Sequence, residues 1–402
     1  MAWVKSIEID GLAGRDYSFT IEFNRSLNVL WGVNGCGKTS LLRIIHSALQ
    51  NDAEILTRTP FTSASVVFES DTGGPVFTRV YEAVSRSKAR KMDEAEIVDA
   101  INDDVAYDPV ADVNYRRALA ESRKSIQWKT TPTRNRMSSN SFSHRFLPIS
   151  RVASSDGRTA TRPYPYDRSQ ILDEATIDRH FVNEMQRLWR DYSIRESQAI
   201  SSIQREGIAE ILNSIVEQDS SSGLGYLPME SIDSVYSIIR TFFDSQRIPF
   251  ELGTSGQFAE SYKRNQTLRR VAHKVVEIQS STLEVSEPRR RAEQLISELF
   301  SGSKKLRLGP REIEVIARNA RIPVQHLSSG ERQMLRMLIE CLAVGKNCIL
   351  IDEPELSMHV DWQIRLINSM RSVNPDAQII AATHSPEVMA EIADESIFEL
   401  TV

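Results

Sequence analysis

The chain has 402 residues, 41% of them hydrophobic and 26% charged, which suits a globular protein of two or three domains and excludes low-complexity or fibrous classes. Its net charge of −5 selects no partner, and the absence of an apolar run of about 18 residues argues against a membrane span. Three cysteines, Cys36, Cys341 and Cys348, are odd in number and lack metal-ligand spacing, so a reducing, cytoplasmic setting is expected.

The N-terminus alternates like a strand over 3–9 and has no signal-peptide character. A second strand region, 19–30, runs into Gly32-Val33-Asn34-Gly35-Cys36-Gly37-Lys38-Thr39, which fits G-x-x-x-x-G-K-[ST] at every fixed position. From Lys38 to Leu49 the apolar residues recur at helical spacing, giving the strand–loop–helix setting that a phosphate-binding loop requires. Backbone N–H groups of Asn34, Gly35, Cys36 and Gly37, with Ser40 at the helix start, would cradle phosphates. Lys38 would bridge the β- and γ-phosphates of ATP, and the Thr39 hydroxyl would bind Mg²⁺.

Segments 64–69 and 75–84 read as a hairpin around Asp71-Thr72-Gly73-Gly74. The pattern from 86 to 170 is weak, apart from a short strand at 146–149. Between Asn114 and Arg168 there are twelve Lys and Arg against three acids, so this stretch carries +9 and the rest of the chain −14. It would either track a nucleic-acid backbone, with Tyr115 and Trp128 as stacking groups, or form a solvated or partner-binding face. Arg151 is a candidate to approach the nucleotide.

Helical periodicity dominates 170–300, with Phe181, Met185, Leu188, Trp189 and Tyr192 on one face and Ile208, Ile211, Leu212 and Ile215 continuing it. No long heptad run marks a coiled-coil arm. Strands return at 305–308 and 312–316. Leu327-Ser328-Ser329-Gly330-Glu331 opens a helix predicted over 330–344. Strand 347–351, helix 360–371, strand 377–382 and a strand near 396–401 follow.

Asp352 ends an apolar strand, where an open α/β sheet faces its phosphate crevice, and would hold Mg²⁺ through water. Glu353 would polarise the attacking water. Glu355 is read either as solvated or as touching a partner subunit. Ser328, Ser329 and Gly330 stand at a helix N-terminus, which is an anion site, although Ser-x-x-Glu is also an ordinary capping pattern. His384, after a core strand, is a candidate γ-phosphate contact.

Taken in this order, the phosphate loop, the Leu-Ser-Ser-Gly-Glu turn, Asp352-Glu353 and His384 resemble the ABC-type AAA ATPases of DNA maintenance and phage defence. That group includes SMC-like, RecF-like and OLD-like proteins and the ATPase subunits of Septu-type and PARIS-type systems. The matching motifs cover roughly 1–50 and 320–390. The resemblance implies an α/β head, a mixed sheet flanked by helices, with an inserted and mainly helical lobe. It divides the chain into a discontinuous nucleotide-binding domain, 1–85 and 301–402, a basic insertion, 86–170, and a helical lobe, 171–300.

The resemblance also implies ATP and Mg²⁺ as cofactors, with Thr39 and Asp352 as metal residues. Lys38, Glu353 and His384 are implied as catalytic, and Ser328 and Gly330 as a signature acting on a second copy in a homodimer or higher homo-oligomer. The sequence after Glu353, Pro354-Glu355-Leu356-Ser357-Met358-His359, looks like the RecF-like and OLD-like branch rather than a transporter. No glutamine-bearing loop has a clear match. Because the chain stops near the last expected strand, an effector, a nuclease above all, would be a separate protein. The implied role is a cytoplasmic defence ATPase that senses a trigger and controls that effector. The alternatives are a DNA-repair ATPase acting directly on DNA and, third, a transporter ATPase.

Overall fold

The computed structural model describes residues 2–56, 59–70, 77–82, 128–132, 142–148, 174–216, 232–249, 251–300, 304–318 and 320–400. These fall into two compact units, one of residues 1–185 with 323–402 and one of residues 186–322.

In the first unit, β1 (Ala2–Asp10), β2 (Ser18–Glu22), β4 (Ser63–Ser70), β5 (Phe77–Glu82) and β6 (Lys129–Pro132) form an antiparallel sheet in the order β2-β1-β4-β5-β6. The predicted hairpin is present as β4 and β5, with Ser63 opposite Glu82 and Phe68 opposite Phe77. Alternate residues Ala64, Val66 and Phe68 point into the core, as strand geometry requires.

A second sheet is wholly parallel, in the order β13 (Ile397–Glu399), β3 (Leu27–Trp31), β12 (Gln378–Thr383), β11 (Cys348–Asp352), β7 (His144–Leu147). Every residue of β11 and β12 is buried, which explains why both read as continuous apolar runs rather than alternating ones.

Helix α1 (Lys38–Gln50) lies between the two sheets. Leu41, Leu42, Ile44, Ile45, Ala48 and Leu49 share one core with Ile7, Ile9, Val66 and Phe68 of the antiparallel sheet and with Leu30, Leu350 and Ile380 of the parallel one. Because it is covered on both sides, α1 carries a wider apolar surface than a helix on one sheet face would need. Gln378 links the sheets by polar contacts. Its Oε1 accepts from Val4 N at 2.9 Å, and its Nε2 donates to Val4 O at 2.8 Å and to Asn24 O at 3.0 Å. Val4 sits at the bulge where β1 changes register with β4, so the amide satisfies backbone groups the ladder leaves open. Helices α6 (Ser329–Val344) and α7 (Val360–Val373) pack against each other, and α6 contacts β7 and β11.

The strand expected at 146–149 is β7, two residues earlier, and it joins the edge of the parallel sheet beside β11. Trp128 is not available for stacking on bases. It is only 5% exposed, its Nε1 donates to Ser47 Oγ at 2.9 Å, and its ring lies 5.5 Å from that of Tyr81. Elsewhere in the basic segment Lys129 lies in β6 and Arg145 in β7, where its Nε is 3.6 Å from Glu340 Oε2, while Tyr115, Arg116, Arg117, Arg123, Lys124 and Arg151 lie outside the described residues.

Two imidazoles meet between α1 and β7. His144 Nδ1 lies 2.8 Å from Phe142 O, so it carries the proton and leaves Nε2 to accept from His46 Nδ1 at 2.7 Å. The His46 ring stacks on Phe146. Burial drives both toward the neutral form, with His46 pushed down to about 3 and His144 to about 4. Below the ordinary value of 6.5 the unfolded chain takes up protons that the folded chain refuses, so this contribution is present above pH 6.5 and fades as pH falls toward 4. By pH 5 the loss amounts to about 1–2 kcal/mol per imidazole. A His46→Phe variant keeps a ring on Phe146 and takes up no proton. Its thermal midpoint, followed by scanning fluorimetry from pH 7 to pH 5, should decline less than that of the wild type. Parallel declines would remove these imidazoles from the acid response.

The second unit holds the remainder of α2 (Glu174–Val216), then α3 (Ile232–Ser245), α4 (Ser255–Arg264) and α5 (Gln266–Leu299), and the antiparallel strands β8 (Lys304–Leu308), β9 (Ile313–Ala317) and β10 (Ala320–Ile322). α2 and α5 run antiparallel. Glu196 pairs with Arg289 at 3.0 Å, Gly207 abuts Ile278, and Lys274 reaches Glu210. Ile239, Phe242, Phe258 and Tyr262 of α3 and α4 pack into the same core as Ile211 and Val275, so the lobe is a bundle and not a bare two-helix arm. Leu212 departs from the expected face. It is 59% exposed while its neighbour Ile211 is buried.

Candidate functional site

The site forms where β3, β11 and β12 end side by side. β3 feeds the phosphate loop, β11 delivers Asp352 and Glu353, and β12 delivers Thr383 and His384. In an open α/β sheet such strand ends open the ligand crevice.

Gly37 takes φ 103°, a left-handed value, and a Cβ there would lie 2.9 Å from Leu12 Cδ2, so glycine is required both for the turn into α1 and for the approach of residues 12–13. Asn34 and Gly35 are exposed, whereas Cys36 is buried in the core. Lys38 folds back over its loop. Its Nζ donates to Gly32 O at 2.7 Å and lies 3.8 Å from Glu353 Oε1. Thr39 Oγ1 donates to Asp352 Oδ1 at 3.1 Å. These two residues are 313 positions apart in sequence, and the parallel sheet brings them into contact.

Asp352 is buried, and its Oδ2 has no hydrogen-bond partner among the described residues. Burial raises its pKa, against the opposing effects of Thr39, Arg43 and Lys38. A buried hydroxyl–carboxylate pair with one oxygen left over fits a hard, oxygen-seeking divalent cation such as Mg²⁺, which would remove the cost of burying that charge.

Glu353 adopts φ 49°, and its N–H donates to Ala382 O at 2.8 Å. A left-handed non-glycine residue costs about 1–2 kcal/mol, and such strain concentrates at functional sites. The Glu353 carboxyl is raised first by burial and then by the neighbouring Glu355 charge, against the pull of His384. His384 Nδ1 bonds to Glu353 Oε2 and lies 3.3 Å from Glu355 Oε1.

Glu355, read from sequence as either solvated or at a partner surface, is neither within this chain. It is 5% exposed, and its Oε1 accepts from Thr383 Oγ1 at 2.6 Å and from His384 N at 3.2 Å. Sequence reasoning also missed Thr383. The available signal was Glu355's place two residues beyond Glu353 across a proline, at the end of a buried strand.

Ser328 caps α6. Its Oγ accepts from Glu331 N at 3.3 Å, and Glu331 Oε2 accepts from Ser328 N at 2.6 Å, which is a complete capping box. The capping pattern noted in the sequence is therefore realised. Ser328 and Ser329 are exposed, while Gly330 is buried and a Cβ on it would lie 2.7 Å from Ser357 O. The signature turn thus rests directly on the backbone that follows β11. A cavity of about 130 Å³, lined in part by Pro148, Gln333, Arg336, Asp352, Glu353 and Ser357, adjoins the site.

A family described as "AAA domain, putative AbiEii toxin, Type IV TA system" matches residues 27–390, which include every strand of the parallel sheet but β13 together with Lys38, Thr39, Asp352, Glu353 and His384. The chain belongs to this family of AAA-type ATPases. The chain is similar over 99 residues to "Retron Vc95 probable ATPase" of Vibrio cholerae serotype O1 biovar El Tor, at 27% identity, covering 21% of this chain and 19% of that protein. It is similar to "Retron Ec83 probable ATPase" of Escherichia coli at 28% over 109 residues, 24% of this chain and 20% of that protein. It is also similar to "Septu protein PtuA" of Bacillus thuringiensis at 41% over 54 residues, 13% of this chain and 14% of that protein. The matches therefore span a fifth or less of each relative's own length. Among the described residues, no helix is long and apolar enough to cross a membrane.

Proposed function

We propose that this AAA-family chain binds and hydrolyses ATP at a site shared by two copies, and that the cycle controls a separate effector, a nuclease, in anti-phage defence. The observation that carries the hydrolytic reading is the convergence of Lys38, Thr39, Asp352, Glu353 and His384 at three adjacent strand ends.

Each residue has work to do there. Arrival of the γ-phosphate draws Lys38 away from Gly32 O and Glu353, because a phosphate oxygen carries more negative charge than a carbonyl. Mg²⁺, held by Thr39 and Asp352, supplies charge neutralisation at the phosphates when bound. Glu353, released from Lys38, orients a water and takes its proton as the water oxygen bonds to phosphorus and the bond to ADP breaks. Burial and the neighbouring Glu355 charge raise its pKa, which makes it a stronger base than a free carboxylate. His384 stays against Glu353 and fixes its carboxylate.

One feature supports a shared site. Leu356 and Val360, just past Glu353, and Val33 in the phosphate loop are exposed apolar residues that a second copy would cover. The signature turn of that copy, Ser328–Gly330, would then face the γ-phosphate with its helix N-terminus.

The defence role is supported by the names of the relatives similar to this chain. The test is co-purification of the tagged chain with the products of neighbouring genes, with and without ATP. We expect a neighbour-encoded nuclease to be retained in an ATP-dependent manner. ATP turnover without any neighbour retained would leave an ATPase and sink the effector part.

A further inference from the structure

We infer that Glu355 is a positioning residue for this reaction, holding His384 against Glu353 through a single carboxylate oxygen. The inference rests on the hydrolytic reading above. Glu355 Oε1 accepts from Thr383 Oγ1 at 2.6 Å and from His384 N at 3.2 Å, and lies 3.3 Å from His384 Nδ1. The same oxygen therefore addresses both the main chain and the ring of His384. Among the described residues Oε2 of Glu355 has no hydrogen-bond partner, so the attachment seen there runs through Oε1.

The attachment matters because of where His384 sits. Its side chain is 44% exposed, on the turn that leaves β12. An exposed ring left free of its tether would regain rotamers that the contact with Glu353 excludes. Thr383 Oγ1 extends the clamp, accepting from Ser385 N at 2.9 Å while it donates to Glu355. The loops after β11 and β12 are thus joined beside the Glu353–His384 contact. That contact is the one that must keep its geometry while Lys38 moves to the phosphate.

The test uses the full chain and three variants. In Glu355→Ala, kcat should fall about tenfold or more while KM for ATP stays within about threefold, since an interaction that shapes the reacting groups alone lowers kcat without weakening binding. Hydrogen–deuterium exchange of the peptide spanning 383–385 should speed up about tenfold, with exchange elsewhere unchanged. Glu355→Gln keeps an Oε1 acceptor in place, so it should restore the slow exchange and recover kcat to within about threefold of wild type. A residue of merely structural value would instead raise exchange broadly or change KM with kcat.

Wild-type kcat in Glu355→Ala, or unchanged exchange at 383–385, overturns the inference. So does failure of Glu355→Gln to recover either quantity. Lys38→Ala separates this outcome from failure of the underlying reading. Turnover that survives Lys38→Ala sinks the assignment of hydrolysis to this site, and the exchange data then decide the tether by themselves.

Discussion

Glu353→Gln is expected to bind ATP, to hydrolyse it about 10²–10³-fold more slowly than wild type, and to accumulate as an ATP-bound dimer. The amide preserves the shape of the side chain and its contact with His384 but cannot take a proton from water. Another effect acts in the same direction. Glu353 lies 3.8 Å from Lys38 Nζ, and removing its charge frees that cation for the phosphate. Light scattering coupled to size exclusion, with and without ATP, reads the outcome. Turnover at half the wild-type rate or better would remove Glu353 from the catalytic role. Slow turnover with no added association would confine the chemistry to one chain.

Mixing two inactive variants should restore part of the activity. In Ser328→Arg the phosphate loop is untouched, but a long cation stands at the signature turn and obstructs a second copy's γ-phosphate. Lys38→Ala, in contrast, keeps its signature and loses its phosphate cation. A mixed dimer contains one complete site, with Lys38 from the first chain and Ser328–Gly330 from the second. Recovery of about a quarter of wild-type turnover is expected at equal mixing, since half the dimers are mixed and each holds one site of two. Ser328→Arg also removes the acceptor for Glu331 N and so costs about 1 kcal/mol of capping. A thermal midpoint within a few degrees of wild type shows that this loss is tolerated. With subunit exchange verified, absence of recovery would count against the shared site or require both sites to act together.

The parts legible in the sequence are those where local pattern and tertiary role agree. The phosphate loop and α1 read correctly because the glycines, Lys38 and the apolar spacing all point to strand, loop and helix. β11 and β12 were visible as continuous apolar runs, which is how a strand covered on both faces must look. What the pattern does not carry is pairing across long separations. Nothing local in the sequence around 144–147 places that segment beside Cys348–Asp352, and nothing local tells Trp128 to bury itself against Ser47. Glu355 shows the same limit. An acid in a turn reads as solvated, and only the return of β12 supplies Thr383 and His384 N to satisfy it. At Ser328 the helix cap and the candidate anion site share the same residues, so the local pattern supports both at once.

The place of β3 in its sheet has a consequence for how the chain is made. Its neighbours on either side are β12 and β13, drawn from residues 378–399, so the strand that launches the phosphate loop waits for partners synthesised about 350 residues later. At roughly 5–20 residues per second, that is about 20–70 seconds on the ribosome. During this interval Leu27–Trp31 has both edges bare, in a form suited to pairing with other chains. The nascent chain can therefore build its antiparallel hairpins and helical lobe first. The crevice at the ends of β3, β12 and β11 is therefore assembled only when the last strands arrive, which ties completion of the site to completion of the sheet.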